Sequence, residues 1–439
     1  MELAWPAIIE NLLVMSVGIA DTAMVGRLGA ASLAAVDISN RLIMFALAVF
    51  SAILIGTTAV VARSIGAEDR ATANQALRQA LIMVATIALP LIIPGTIFAR
   101  KCIEFMMVMQ ETPDIEVVSL GAQYMQITVP FMLFALVMMT INSCLRGAGD
   151  TRTPMVVTGV SNVVNIIGNY LLIYGIGPFP AMGVAGAAWS TNIARMIGAV
   201  LVIRAVYRGH GRLSLNIKER FRIDTDIMKR ILRVGFPAAI EQGLMRSAQL
   251  IYGMIVASMD TVSIAAHAVA LTAESISFMP GAGFSLAATT LVGQNMGANN
   301  PEQAERSGYQ SGYMATLVMS AMGVLFFAFP RFFVGLFSKD PAVVDLAAKC
   351  LRLVAISQPA LAWVQTLGGG LRGVGDTRWV MAITVVGFWG VRISLAYVLA
   401  ISAGLGLLGA WIAMVVDLFV RSVLLVLRFR QGGWKELEV

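Results

Sequence analysis

One aspartate stands in an apolar run long enough to cross a bilayer. The run is Trp5 to Gly29 (WPAIIENLLVMSVGIADTAMVGRLG), and the aspartate is Asp21. An ionisable group at that depth costs roughly 2.5–3.5 kcal/mol on insertion, so it faces protein or a wet cavity rather than acyl chains. A sheltered carboxylate can take up a proton near neutral pH. A group charged in one state and neutral in another can couple proton movement to a change of shape. The alternative is a structural carboxylate bonded to a neighbouring helix. Glu10 precedes Asp21 by eleven residues, about three helical turns, so both acids lie on one stripe.

Other polar groups sit in similar runs. Asn162, Asn165 and Asn169 are spaced three and four apart and form one helix face. Three amides facing lipid would be unfavourable, so this face points inward, where it could bond Asp21 or hold helices together. Glu241 lies four residues after Pro237, as Glu10 does after Pro6; either acid could be structural or reach the interface. Gln242, Arg246 and Gln249 extend a polar stripe from Glu241, with Arg246 as a partner for a carboxylate. Glu274 is followed by Pro280 and Gly281, which are expected to kink or unwind their helix; it could serve a cation or pair with Arg246 or Arg392. Asp417 and Arg421, four apart, are expected to pair. Arg195 and Arg392 have no partner assignable from spacing, and His267 reads as packing.

The elements that hold these residues are read from composition. Of 439 residues, 58% are apolar and 13% charged, against about 25% charged in soluble proteins. Twelve runs have the length of a spanning helix: 6–26, 42–62, 79–99, 121–142, 155–175, 184–205, 236–257, 267–291, 310–330, 350–370, 380–400 and 407–427. The one long hydrophilic connector, 206–234, is basic and separates a lobe at 1–205 from one at 235–439. Placing both termini and this connector in the cytoplasm gives the inner loops about 20 Lys and Arg and the outer ones about 8. The net charge of +7 therefore speaks of loops beside an anionic leaflet, not of nucleic acid. No cleavable leader is expected, since the first apolar run has no basic residues before it. Cys102, Cys144 and Cys350 lack metal-like spacing and suggest neither a disulfide nor a metal site.

The two lobes repeat. Pro6, Glu10, Gly66 and Ala67 recur 231 positions later as Pro237, Glu241, Gly297 and Ala298, and LRGAGDTR (Leu145–Arg152) recurs 226 positions later as LRGVGDTR (Leu371–Arg378). Thr112-Pro113 and Asp340-Pro341 both read as a cap followed by a proline in the first helical turn. Six spans per half make both halves enter from one side, so an axis along the membrane normal relates them. The 26 methionines suit a surface that fits varied apolar ligands, though most must simply pack. There is no P-loop, no paired metal-binding aspartates and no nucleophile with a base nearby; an enzyme is not indicated, and energy would come from an ion gradient.

These features resemble the multidrug and toxic compound extrusion (MATE) family. The resemblance covers nearly the whole chain and is carried by ADTAMVGRLG (Ala20–Gly29), LRGAGDTRTPM (Leu145–Met155), FMPGAGFSLAATTLVGQNMGA (Phe278–Ala298) and LRGVGDTR. It implies an all-α polytopic membrane protein with twelve transmembrane helices in two pseudo-symmetric six-helix bundles around a central cleft. It implies export of organic cations or other amphiphiles by antiport. By position, Asp21 matches the acid of the family's first helix, Pro6 the proline at which that helix bends in some members, and Asn165 a polar residue of the fifth-helix site. Asn169 stands where several prokaryotic members have aspartate, which removes a negative charge. Some members place a functional glutamate near Met245; Glu241 is a turn earlier, so a sodium site built like theirs is not supported. The expectation is a secondary efflux antiporter in the inner membrane, driven by proton influx through Asp21. Asn162, Asn165, Asn169, Glu241, Arg246 and Glu274 are the candidate substrate or ion ligands, and Pro6 and Pro280 the helix-bending positions. Sodium-coupled export and lipid-linked saccharide flipping are the alternatives. No cofactor is implied beyond the coupling ion, H+ or else Na+. The partners are small amphiphiles and the bilayer, with no nucleic acid, and the protein is expected to be a monomer.

Overall fold

Apolar runs at helix length form helices throughout. The computed structural model describes residues 1–107, 114–209, 213–214 and 223–437, and these hold no strand. Twelve long helices are present among them, and each predicted span falls on one. They are α1 (Ala4–Gly26), α2 (Ala30–Gly66), α3 (Arg70–Ile97), α4 (Ile115–Gly147), α5 (Arg152–Tyr174), α6 (Gly183–Tyr207), α7 (Thr225–Ala257), α8 (Thr261–Gly297), α9 (Pro301–Ala328), α10 (Pro341–Gly373), α11 (Thr377–Ser402) and α12 (Gly406–Gln431). Ten are apolar enough by composition alone to cross a membrane; α7 and α10 carry polar residues along their length. Helices α2 and α8 have 37 residues each, roughly 55 Å of helix against a hydrocarbon core of about 30 Å. They therefore continue past the apolar stretch that marked them. Large apolar side chains in mid-helix stay bare: Phe45 is 78% exposed and Leu317 74%. Such exposure fits a lipid solvent.

The repeat is written in backbone detail as well as in letters. Glu68 and Asn299, 231 apart, both take positive φ (58° and 54°). The next residues cap the following helices: Asp69 accepts from the Thr72 amide at 2.9 Å, and Asn300 from the Gln303 amide at 3.0 Å. The Thr72 hydroxyl and amide hold the Asp69 carboxyl below its ordinary value. Gly149 and Gly375, 226 apart in the two GDTR turns, have φ of 89° and 88°, a conformation that favours glycine. Asp340 caps α10 through the Ala342 amide, with Pro341 in the first turn. The corresponding Thr112-Pro113 lies outside the described residues, as do Arg212, Lys218, Arg220 and Arg222 of the basic connector; Asp114 caps α4.

Two compact units result. One comprises Ile9–Val61 and Asp69–Leu232, the other Met1–Ile8, Ala62–Glu68 and Arg233–Val439. In the first, Val25, Ile43, Ile103, Tyr124 and Ile173 belong to one apolar core. In the second, Trp411 is fully buried in a core with Tyr252 and Phe326. Ala4 and Ile8 of α1 join Phe284 of α8 in another core of that unit. The last turns of α2 cross those of α8 there: a Cβ on Gly66 would collide with the Gln294 carbonyl, and one on Gly297 with the Arg63 carbonyl. Positions 63 and 294 are themselves 231 apart, so the crossing is reciprocal.

Two expectations about bending are corrected. Pro6 lies in the first turn of an α1 unbroken from Ala4 to Gly26, where the missing N–H has no intrahelical partner to lose. Pro280 lies inside an α8 that stays helical through Gly297 and is not unwound. Its neighbour Gly281 lies closely under the Gln365 amide and the Met319 sulfur, so packing holds the segment where the sequence alone suggests a break.

Candidate functional site

The amino-terminal site is built on α1, α5 and α6. The 3-and-4 spacing on α5 lays three amides on one face, and each meets something different. Asn169 donates to Asp21 Oδ1 at 2.5 Å and to Asn165 Oδ1 at 3.2 Å. Asn165 donates to the Thr191 hydroxyl at 3.3 Å, while the Ser190 hydroxyl donates to its carbonyl at 2.7 Å. Asn162 reaches the Leu13 carbonyl at 2.6 Å and does not meet Asp21. Gly168 lets α5 and α6 approach closely: a Cβ there would lie 2.5 Å from the Ser190 hydroxyl. The Tyr174 hydroxyl donates to the Met24 carbonyl at 2.9 Å and ties the end of α1 to α5. Asn165 and Asn169 are buried and Asp21 is half-buried.

Asp21, Asn162, Asn165, Thr191 and Arg195 line a cavity of about 340 Å³, with Val14, Met138 and Met139 as part of its apolar wall. Arg195 lies near enough to interact with the Asp21 charge, yet no ion pair joins them. Asp21 thus has a neutral amide as its only hydrogen-bond partner among the described residues. The Glu10–Arg146 pair, 2.9 Å, forms another part of the wall.

The carboxyl-terminal cavity, about 390 Å³, is walled by α7, α8, α10, α11 and α12. Glu241 is buried and receives Arg372 at 2.6 Å and the Thr384 hydroxyl at 3.0 Å. Arg146 and Arg372 occupy the same place in the two LRGxGDTR motifs, and Glu10 and Glu241 the same place in the two first helices. One ion pair is therefore repeated, once per half, and these acids are bonded structural groups. Asp417 is fully buried between two arginines: Arg421 reaches it at 2.8 Å and Arg392 at 2.7 Å, both guanidiniums stacking on Phe388. A π-helical stretch, Val386–Ile393, carries Arg392 to this point.

The expected pairing of Asp417 with Arg421 is present, and Arg392 is added to it. Arg246 is a correction: it is exposed and forms no ion pair among the described residues, because its position on α7 turns away from Glu241, which Arg372 already satisfies. Glu274 lines the cavity and feels the Arg392 charge, without a hydrogen bond to Arg392 or Arg246. His267 packs between Tyr252 and Trp411, its ring centre 5.7 and 5.8 Å from theirs. Thr191, Arg195 and Thr384 escaped sequence reasoning. The recurrence of a glutamate and an arginine in matched motifs was the available signal for the two repeated pairs.

Known proteins resemble the chain over its whole length. The family model described as MatE matches residues 6–171 and again 237–398, once in each half. The chain is 32% identical to the probable multidrug resistance protein NorM of Thermotoga maritima, covering 100% of this chain and 93% of that one. It is 29% identical to the uncharacterized transporter YisQ of Bacillus subtilis, covering 99% and 94%. Among solved structures, an outward-facing multidrug resistance MATE family transporter of the MOP superfamily superposes with a TM-score of 0.88 at 22% identity, over 98% of this chain and 94% of that one. A MOP superfamily transporter from Pyrococcus furiosus gives 0.88 at 22%, over 99% and 96%. At that identity the two structures speak for the fold.

Proposed function

Because the chain belongs to the MatE family, we propose that it is a multidrug efflux antiporter that moves amphiphilic compounds outward against an inward flow of protons. The names of relatives such as NorM of Thermotoga maritima support the efflux part. The observation that carries the proton part is Asp21: a carboxylate on a cavity wall, held by the Asn169 amide at 2.5 Å and by no cation in direct contact. A proton can bind there without displacing a bonded arginine. In the charged state the carboxylate accepts from Asn169 and can attract a ligand's cationic group. In the protonated state that attraction is gone and the ligand leaves.

The basic inner loops favour both termini in the cytoplasm, so that protons enter Asp21 from outside and leave inward. The chain acts as a monomer in this reading. Inverted membrane vesicles test it. Uptake of a fluorescent amphiphile should follow an imposed pH gradient, persist when choline replaces sodium, and vanish in Asp21→Asn. Uptake that needs sodium at fixed pH, or survives in Asp21→Asn, overturns it.

A further inference from the structure

Arg195 is not used by that mechanism. It lies on α6, one turn after Thr191, and lines the cavity that holds Asp21. A guanidinium carries five N–H donors. None of them makes a hydrogen bond to the described residues, and Nη1 is shut off from solvent. Leaving such donors unsatisfied is costly. Two more buried polar atoms on this wall lack a partner, Asn142 Oδ1 and Ser161 Oγ. The cavity thus presents an acceptor, a hydroxyl and a cation beside an apolar surface of Val14, Met138 and Met139.

The charges narrow what can fill it. Glu10 and Arg146 satisfy each other. That leaves one carboxylate, Asp21, and one guanidinium, Arg195, each without an ionic partner in contact; Tyr124 is the other titratable group that faces Arg195. With Asp21 ionised the wall carries no net charge. A plain organic cation would gain Asp21 but meet Arg195 uncompensated, and a plain anion would meet the reverse. A ligand with both charges satisfies both.

We propose that this cavity takes zwitterionic amphiphiles: an ammonium set against Asp21, a carboxylate against the Arg195 guanidinium, and an apolar body along the methionines. The proposal deepens the efflux reading by naming the substrate class, and it rests on that reading for its role in transport. It also fits the direction of exchange. Protonating Asp21 removes the ammonium's partner and leaves the wall with an excess positive charge, which weakens the ligand's hold.

Three forms of one environment-sensitive dye separate the possibilities. Nε-dansyl-lysine is a zwitterion with an apolar tail, its methyl ester a cation, and its Nα-acetyl derivative an anion. Fluorescence titration of the purified full-length protein should show the zwitterion binding about tenfold more tightly than either of the others. Arg195→Gln should erase the preference over the ester, and Arg195→Lys should retain part of it. Size-exclusion profiles check that both variants are folded. Should either variant fail to fold, the wild-type ladder alone still decides. Equal binding of zwitterion and ester by wild type, or an unchanged preference in Arg195→Gln, overturns the assignment. A correct ladder without gradient-driven transport of the same dye would leave the site standing and sink the antiport reading. Proton-driven transport that prefers the ester would do the opposite.

Discussion

Both cavities hold acids and bases in equal number, yet the two handle their aspartates in opposite ways. In the carboxyl-terminal unit, Asp417 is clamped by two arginines, and a phenylalanine ring stacks on both. In the amino-terminal unit, Asp21 leans on one amide, and the arginine nearby makes no contact with it. A buried carboxylate in a double ion pair stays charged and fixed, since losing its charge would strand two cations. One held by an amide is free to change state. The duplicated fold thus uses one copy of a buried acid as scaffold and leaves the other available as a switch. The two pairs shared by both halves, Glu10–Arg146 and Glu241–Arg372, brace the same place in each.

Substitutions can break this contrast. Asp417→Ala should have the largest effect on stability, about 3–5 kcal/mol, because it leaves Arg392 and Arg421 buried without a counter-charge. A large drop in the thermal midpoint of the detergent-purified protein would show it, and an unchanged midpoint would contradict the scaffold role. Asp21→Asn, by contrast, should keep the midpoint within a few degrees and lose gradient-driven transport. Next, Glu241→Gln should destabilise more than Glu10→Gln, since Glu241 receives two groups, Arg372 and Thr384. Equal losses in melting experiments would argue against a bonding difference between the halves. Asn169→Ala removes the one hydrogen bond to Asp21 and should slow transport several-fold, whereas Asn162→Ala loses only a bond to the Leu13 carbonyl and should slow it less.

The smallest contrast lies in the caps. Asp69 and Asn300 cap equivalent helices, but only Asp69 titrates. Its folded carboxyl lies below the ordinary value. Its contribution, about 1 kcal/mol or less at an exposed cap, is therefore full above the unfolded value and lost as pH falls through the folded one. Asp69→Asn should flatten that part of the stability profile between pH 5 and 3, as orders of magnitude go about the carboxylate range. A wild-type profile already flat there would refute the cap's charge dependence.

Much of this was legible in the residues. Apolar runs marked the twelve helices, and matched motifs marked the duplication, down to the turns at Gly149 and Gly375. Asp21 and the asparagine face of α5 could be read because polar groups at helical spacing in an apolar run must turn inward. Partners were harder. Arg246 looked buried because it stands in an apolar run, but a sequence does not say which arc of a helix faces neighbours. Arg195 and Arg392 had no readable partner, since their contacts come from other helices. The π-helical stretch that delivers Arg392 to Asp417 leaves no mark in residue spacing. Pro280 suggested a break that close packing around Gly281 prevents.

Exchange at Asp21 can be watched directly. In weakly buffered solution, binding of a cationic amphiphile to the purified protein should release up to about one proton per ligand, followed with a pH dye near the pH where half the sites are occupied. The account predicts this release for wild type and for Asn162→Ala, and none for Asp21→Asn. The same release from Asp21→Asn would show that another group carries the proton.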